Sequence, residues 1–352
     1  MDRTISVVSV RPDLDEVPPY VPGRSAAGAI KLSSNEVPGG PLPSVLAAIT
    51  AAAQAGNRYP DMSCVELTHA LAQRLGVDEQ HVVVGCGSVS LCTQVVQAFC
   101  SDGDEVVFAW RSFEAYPILV RVVGAVPVQV PLTAEFGHDL DAMLAAITPR
   151  TRVVFLCSPN NPTGTVLRRS ELMRFLGAVP AHVVVVLDEA YTEFVRDPKI
   201  PDGVSLATGR ENLVVLRTFS KAFGLAGLRV GYGYAPTEIA AAIRKVSVPL
   251  SVSTLALAAA LASLEAADEL LQRCDEVALE RVRAREALLA GGFTVPESQA
   301  NFVWLPLGDG STAFTEKCAA AGVLVRGFAG AGVRVTIGTP AENDAFLAVA
   351  LN

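Results

Sequence analysis

Short, β-branched apolar runs recur along the first two thirds of the chain, at His81 to Val84, Asp104 to Phe108, Val126 to Val130, Val153 to Cys157, Val183 to Leu187 and Leu213 to Leu216. Amphipathic or alanine-rich segments separate them. Runs of this kind belong to strands covered on both faces, and their alternation with helical stretches predicts a mainly parallel sheet flanked by helices. Near residue 250 the pattern changes. A long Ala/Leu-rich region ("STLALAAALASLEAADELL", then "VALERVRAREALLAGG") leads into short strands at Asn301 to Trp304, Val323 to Arg326 and Val333 to Ile337, the outline of a smaller α+β unit. The proline-rich first forty residues read as an arm. The expected fold class is α/β, with an arm over 1–40, a large domain over 41–248 and a small C-terminal domain over 249–352.

Composition narrows the partners. A chain of 352 residues, 51% apolar and 18% charged, buries enough surface for two or three domains. The net charge is -8 with a pI near 5.1, and the 28 basic residues are scattered without forming a stripe, so no footprint for nucleic acid or an anionic membrane is expected. No apolar run reaches the ~18 residues of a membrane span, and "MDRTISVVSV" has no basic region ahead of a long apolar core. The expectation is a soluble cytoplasmic protein with a small-molecule partner. Seven cysteines, none in a C-x-x-C pair, and four isolated histidines imply neither a disulfide framework nor a metal site.

In open sheets of parallel strands, ligands bind beyond the carboxyl ends of the strands. Five apolar runs end in polar or special segments: "GCGSVSLC", "WRSFEAY", "SPNNPTG", "DEAY" and "TFSK". The first has the opening glycines of a dinucleotide fingerprint, but Ser90 stands at the third glycine position and Trp110, where a ribose-binding acid is needed, closes the next strand. What remains is either a plain glycine turn or a helix N-terminus at Gly87, Ser88 and Val89 whose N-H groups suit a phosphate. "SPNNPTG" reads as a turn or as a mount for a side-chain donor, with Asn161-Pro162 a candidate cis bond. Asp188 ends "VVVVL", the most apolar run in the chain, where a carboxylate either caps the next element or pairs with a cation carried by a ligand.

Lys221 follows the apolar run "LVVL" within "TFSKAFGLAGLRVG". An ordinary lysine, with a pKa of about 10.4, is protonated near neutrality; in a desolvated, cation-rich pocket that value falls and the amine becomes a nucleophile toward an aldehyde. Such an amine, a phosphate cradle, an acid for a ring nitrogen and nearby aromatic residues together describe a site for pyridoxal phosphate.

"SPNNPTG", "DEAY" and "TFSKAFGLAGLRVG", in this order and spacing, resemble the class I/II aminotransferases of pyridoxal-phosphate fold type I, and within them the histidinol-phosphate/aromatic aminotransferase branch. The likeness extends from "KLSSNE" at 31 to "GVRVTIG" at 332. It implies that Lys221 links to the cofactor aldehyde and later shuttles a proton, and that Asp188 keeps the pyridine nitrogen protonated. Asn161 and Tyr191 would then bond the ring oxygen, and Phe113 would stack on the ring. Thr218, Ser220 and Arg229 would join Gly87, Ser88 and Val89 around the phosphate. Tyr59 in "NRYPD" would reach the phosphate of a neighbouring subunit, making the protein a homodimer with shared sites and an arm packed on the partner. Arg334 would hold the substrate α-carboxylate, with Arg326, Asn35 and Tyr20 nearby.

The activity implied is transamination between an amino acid and a 2-oxo acid such as 2-oxoglutarate. The substrate leans toward phenylalanine and tyrosine, because Trp110, Phe113 and Tyr116 suggest an aromatic wall and few cations are in view for a phosphate dianion. Histidinol phosphate is the alternative, and a related decarboxylation a lesser one.

Overall fold

The computed structural model describes residues 11, 14, 15, 17 and 19–352, so the first ten residues of the expected arm lie outside the described residues. Among the described residues, eleven strands form two sheets: β1 (Ile30–Leu32), β2 (Val82–Gly85), β3 (Glu105–Trp110), β4 (Val126–Pro131), β5 (Thr151–Cys157), β6 (Val184–Asp188), β7 (Leu213–Thr218), β8 (Gly231–Tyr234), β9 (Phe302–Leu305), β10 (Val323–Phe328) and β11 (Gly332–Thr336). The large sheet has the order β2-β8-β7-β6-β5-β3-β4, parallel throughout except for β8. The fold is therefore the α/β arrangement that the apolar runs predict.

Alternate residues of the central strands enter two different cores. Val106, Phe108, Phe155, Val186 and Leu216 pack on one face with Leu91 and Val95 of the helix Ser88–Phe99. Val107, Val154, Leu156, Val185, Leu187 and Val215 pack on the other with Leu172 and Phe175 of the helix Arg169–Ala178. Both faces being covered, the central strands β3, β5, β6 and β7 carry polar residues only at or next to their ends. At the edge, β4 carries Pro127 and Pro131, which an edge strand tolerates because one side of its backbone needs no ladder partner.

The small sheet has the order β1-β10-β11-β9. Its first strand is a departure from the expected arm: Ile30, Lys31 and Leu32 pair in parallel with Val323, Leu324 and Val325. Three residues are too few to show a period-2 pattern, so nothing local marked them as a strand. The strand β8 was also not expected, since its sequence "GYGY" alternates tyrosine with glycine, a poor strand former. The Ala/Leu-rich region forms two helices, Thr254–Glu265, which packs on the helix Pro43–Ala53, and the 24-residue Ala267–Ala290. A third core, containing Leu32, Val45, Phe219, Ala259, Val277, Phe302 and Val333, joins these helices and the small sheet to the carboxyl edge of the large one.

Phe155 sits completely buried in the large sheet, stacked on Tyr116 with ring centroids 4.5 Å apart. Replacing it by alanine removes a buried ring and leaves a cavity the rigid sheet cannot close. Phe155→Ala is expected to cost about 3–5 kcal/mol, read as a lowered denaturant midpoint; a midpoint equal to that of the parent would contradict this packing.

Candidate active site

The carboxyl ends of β2, β3, β5, β6 and β7 open on one cavity. Asp188 is the last residue of β6, hydrogen-bonded in register beside Cys157, the last residue of β5. Its side chain accepts from the Tyr116 hydroxyl at 2.7 Å and the Ala190 N-H at 3.2 Å, and both donors are neutral. Burial pushes its pKa above the usual carboxylate range, and these two hydrogen bonds hold it down only in part. A ligand cation at this carboxylate would offset the cost of burying the charge.

Lys221 lies just beyond β7, its Nζ donating to the Ser34 carbonyl at 3.2 Å and lying 5.9 Å from the Tyr191 ring centroid. Burial lowers its pKa to about 7, and the positive charges of Arg334, Arg229 and Lys31 contribute in the same direction against Glu36. A substantial share of neutral amine near physiological pH follows.

The cradle at Gly87 to Val89 is built by close approach. Gly87 has φ 80°, and a Cβ there would come within 2.4 Å of Arg229 Nη2; one on Gly231 would come within 2.4 Å of the Ser88 nitrogen. Only glycine fits both positions, so the guanidinium reaches the start of the helix Ser88–Phe99, whose first two residues line the cavity. That helix has no side-chain cap. Arg229 Nη1 donates to Ser220 Oγ at 3.0 Å, and the Ser220 N-H donates to Thr218 Oγ1 at 3.1 Å. Helix N-terminus, hydroxyls and guanidinium together form an anion site.

The two asparagines of "SPNNPTG" divide the labour. Asn160 is fully buried and braces the loop, accepting from Ser112 Oγ and donating to the Arg111 carbonyl and Thr163 Oγ1. Asn161, whose bond to Pro162 is cis as expected, lines the cavity, and its Oδ1 accepts from Arg334 Nη1 at 2.5 Å. Arg334 Nη2 donates to the Ser33 carbonyl at 2.7 Å, while its buried Nε has no protein partner. Asn35 has a left-handed backbone with φ 55° and ties three elements together: its Nδ2 donates to the Tyr191 hydroxyl, its N-H to Thr336 Oγ1, and its carbonyl accepts from Asn301 Nδ2.

Of the residues singled out from sequence, Tyr20, Asn35, Ser88, Val89, Phe113, Asn161, Asp188, Tyr191, Thr218, Ser220, Lys221, Arg229, Arg326 and Arg334 line this cavity, with Gly87 forming its turn. Tyr59 does not; it is 86% exposed on the surface. The expected aromatic wall needs correction. Only Phe113 faces the cavity, whereas Tyr116 is wholly buried beneath Asp188 and Trp110 packs edge-on against Phe108, 6.2 Å between centroids. The sequence shows three aromatics in one segment, but the turn into the helix Ala115–Val122 sends them in different directions. The scarcity of cations is corrected too: Lys221, Arg229, Arg326 and Arg334 all line the cavity. Sequence reasoning missed Glu114, whose carboxylate accepts from Arg326 Nη2 at 2.7 Å, and the role of Tyr116 under Asp188.

The fold and this site define an enzyme of pyridoxal-phosphate fold type I. The residues fit that cofactor: a low-pKa amine, a buried carboxylate bonded only to neutral donors and a glycine-dependent anion cradle open on the same space. The family profile described as aminotransferase class I and II matches residues 27–349, and the chain belongs to that family of pyridoxal-phosphate-dependent transferases. It is 61% identical over 340 residues to an aromatic amino acid aminotransferase of Rhodococcus jostii (strain RHA1), covering 97% of this chain and 94% of the relative. An aromatic amino acid aminotransferase of Mycobacterium tuberculosis (strain ATCC 25177 / H37Ra) is 57% identical, with 96% of each chain covered. Among solved structures, the histidinol-phosphate aminotransferase of Sinorhizobium meliloti in complex with pyridoxal-5'-phosphate superposes with a TM-score of 0.89 at 30% identity, covering 98% of this chain and 97% of that one.

The lowered pKa of Lys221 has a direct readout in the cofactor-free protein. Below about pH 7 the side chain is an ammonium and inert; above it the neutral amine dominates. Acylation of Lys221 by a small amine-selective reagent, followed by mass spectrometry, should rise through pH 7 and level off. A rate still climbing toward the ordinary lysine value of about 10.4 would refute the perturbation.

Proposed function

We propose that the chain transaminates aromatic L-amino acids, phenylalanine and tyrosine, with a 2-oxo acid such as 2-oxoglutarate as the acceptor. Relatives bearing that activity in their names are 57–61% identical over almost the whole chain, against 30% for the histidinol-phosphate aminotransferase structure. The observation that carries the reading is the charge balance at the substrate end: Arg326 is paired with Glu114, leaving Arg334 as the guanidinium there without a carboxylate partner. For the amino donor, one unpaired guanidinium suits the α-carboxylate, and a neutral side chain completes the molecule.

Pyridoxal phosphate, when bound, supplies an aldehyde for amino groups and a ring that draws electrons from the adjacent carbon. The chain does the rest. Asp188 holds a proton on the ring nitrogen, while the Asn161 amide and the Tyr191 hydroxyl donate to the ring oxygen. Gly87, Ser88, Val89, Thr218, Ser220 and Arg229 hold the phosphate, and Phe113 covers the ring. Arg334 binds the substrate α-carboxylate in bidentate fashion, which orients the α-hydrogen toward Lys221. Lys221 Nζ, whose pKa burial brings down to about 7, takes that proton in its neutral form as a general base.

The working form is a homodimer with shared sites, in which Tyr59 of each subunit serves its partner's phosphate. What supports this is that Tyr59 stands outside its own cavity, with Met62 and Val65 also exposed beside it. The arm over 1–40 would pack on the small domain and the partner, with 41–248 holding the cofactor and 249–352 forming the small domain. The location proposed is cytoplasmic: all seven cysteines are free thiols, as a reducing compartment keeps them, and among the described residues no helix is long and apolar enough to cross a membrane.

The decisive experiment is a half-reaction screen that follows the cofactor spectrum. Phenylalanine or tyrosine should react faster than histidinol phosphate, and Lys221→Ala should lose both the lysine-linked absorbance and turnover. A tenfold preference for histidinol phosphate, about 1.4 kcal/mol in transition-state binding, would reverse the substrate assignment. Mixing Lys221→Ala subunits with Tyr59→Ala subunits should restore one intact site per heterodimer and raise activity above both parents; no recovery in a verified heterodimer would place Tyr59 within its own subunit's site or outside catalysis.

A further inference from the structure

Given Arg334 as the carboxylate anchor proposed above, we propose that Glu114 is a specificity-determining residue: by holding Arg326, it keeps a second guanidinium from the substrate's charged end, so that the site accepts a carboxylate and rejects a phosphate dianion.

Arg326 and Arg334 are directly opposite one another on the antiparallel strands β10 and β11, so their side chains leave the sheet on the same face. Both guanidiniums lie over the Phe328 ring, at 5.6 and 5.9 Å from its centroid, and both line the cavity. Two like charges in directly opposed positions are unfavourable unless an anion offsets them. Glu114 is that anion. It occupies the N-cap position of the helix Ala115–Val122, yet its carboxylate makes no capping bond there and instead reaches Arg326 Nη2 at 2.7 Å. Arg326 Nη1 is held from the other side by the Pro22 carbonyl at 3.1 Å. The pair is only 15% and 28% exposed, so its attraction is less screened than that of a surface pair. Arg334 senses both partners: after burial and the Tyr191 contribution, the Arg326 charge lowers its pKa and Glu114 raises it.

Of the groups here that line the cavity, Arg326, Glu114 and Arg334 therefore carry one net positive charge between them; Arg111, 5.9 Å from the Phe328 centroid, is outside that lining. A carboxylate is matched by Arg334 alone. A phosphate dianion asks for two guanidiniums and would meet the Glu114 carboxylate beside the second. Freed of Glu114, the opposed pair becomes a clamp for phosphate.

The test uses the holoenzyme, in which the cofactor's own phosphate fills the cradle at Gly87 to Val89, and inorganic phosphate as the probe. Its inhibition of the amino-acid half-reaction is measured in the parent, in Glu114→Gln and in Glu114→Gln combined with Arg326→Gln. The inhibition constant should fall about tenfold in Glu114→Gln, and the gain should vanish in the double variant. A change under threefold, or a gain that survives loss of Arg326, overturns the proposal. Circular dichroism and the bound-cofactor absorbance check folding, and Glu114→Ala replaces Glu114→Gln if the latter does not fold; failure of both would make Glu114 structural and likewise overturn it. A parent that prefers histidinol phosphate to phenylalanine would overturn both this proposal and the aromatic reading, whereas a parent that prefers an aliphatic amino acid to phenylalanine would defeat the aromatic reading alone.

Discussion

A carboxylate at the end of the most apolar strand is the constraint around which the site is arranged. Asp188 is 4% exposed, and its position follows from β6 being enclosed between β5 and β7 with helices on both faces. Such a charge is costly unless donors reach it. Tyr116 supplies one, and Tyr116 is itself held by stacking on Phe155 of β5, so the packing of the sheet sets the aim of the hydrogen bond. Site and core are one structure here. A change in the aromatic layer alters the acid without touching the cavity.

Beneath the cavity a second polar system carries the load of the neighbouring acid. Glu189, next to Asp188, accepts from Arg217 of β7 at 2.7 Å and from the Gly203 N-H at 2.9 Å, while Arg217 also reaches Asp202 at 2.5 Å. Buried pairs of this kind contribute little net stability, because desolvation consumes most of the attraction, but removing one partner strands the other. The arrangement separates two adjacent carboxylates: Glu189 is paired with a cation inside the protein, and Asp188 meets only neutral donors. On the opposite wall the same logic distinguishes Arg326, neutralised by Glu114, from Arg334.

Much of this was legible in the chain because parallel strands buried on both faces admit polar residues only at their ends. Asp188, Thr218 and the "SPNNPTG" loop announced themselves by interrupting apolar runs, and Lys221 by standing just beyond one. Short or glycine-rich elements did not. Strand β1 is three residues long, too short to show a pattern, and β8 is half glycine, a poor strand former; each is a strand because a neighbour supplies the ladder. Direction was illegible as well. Trp110, Phe113 and Tyr116 lie within seven residues, yet one faces the cavity, one lies beneath the acid and one packs in the sheet.

By itself the sequence determined the α/β class, the carboxyl edge as the place of chemistry, and the residue types that pyridoxal phosphate requires, since each depends on local order along the chain. Only the tertiary structure decided which of those residues pair. The join of Glu114 to Arg326 spans 212 positions, that of Asn161 to Arg334 spans 173, and that of Lys221 to the Ser34 carbonyl spans 187. Separations of that size leave no periodic trace in the chain. They arise when the small sheet, with the returning segment at 30–36, closes over the carboxyl edge of the large one, and that closure turns a set of cations and carboxylates into a charge balance.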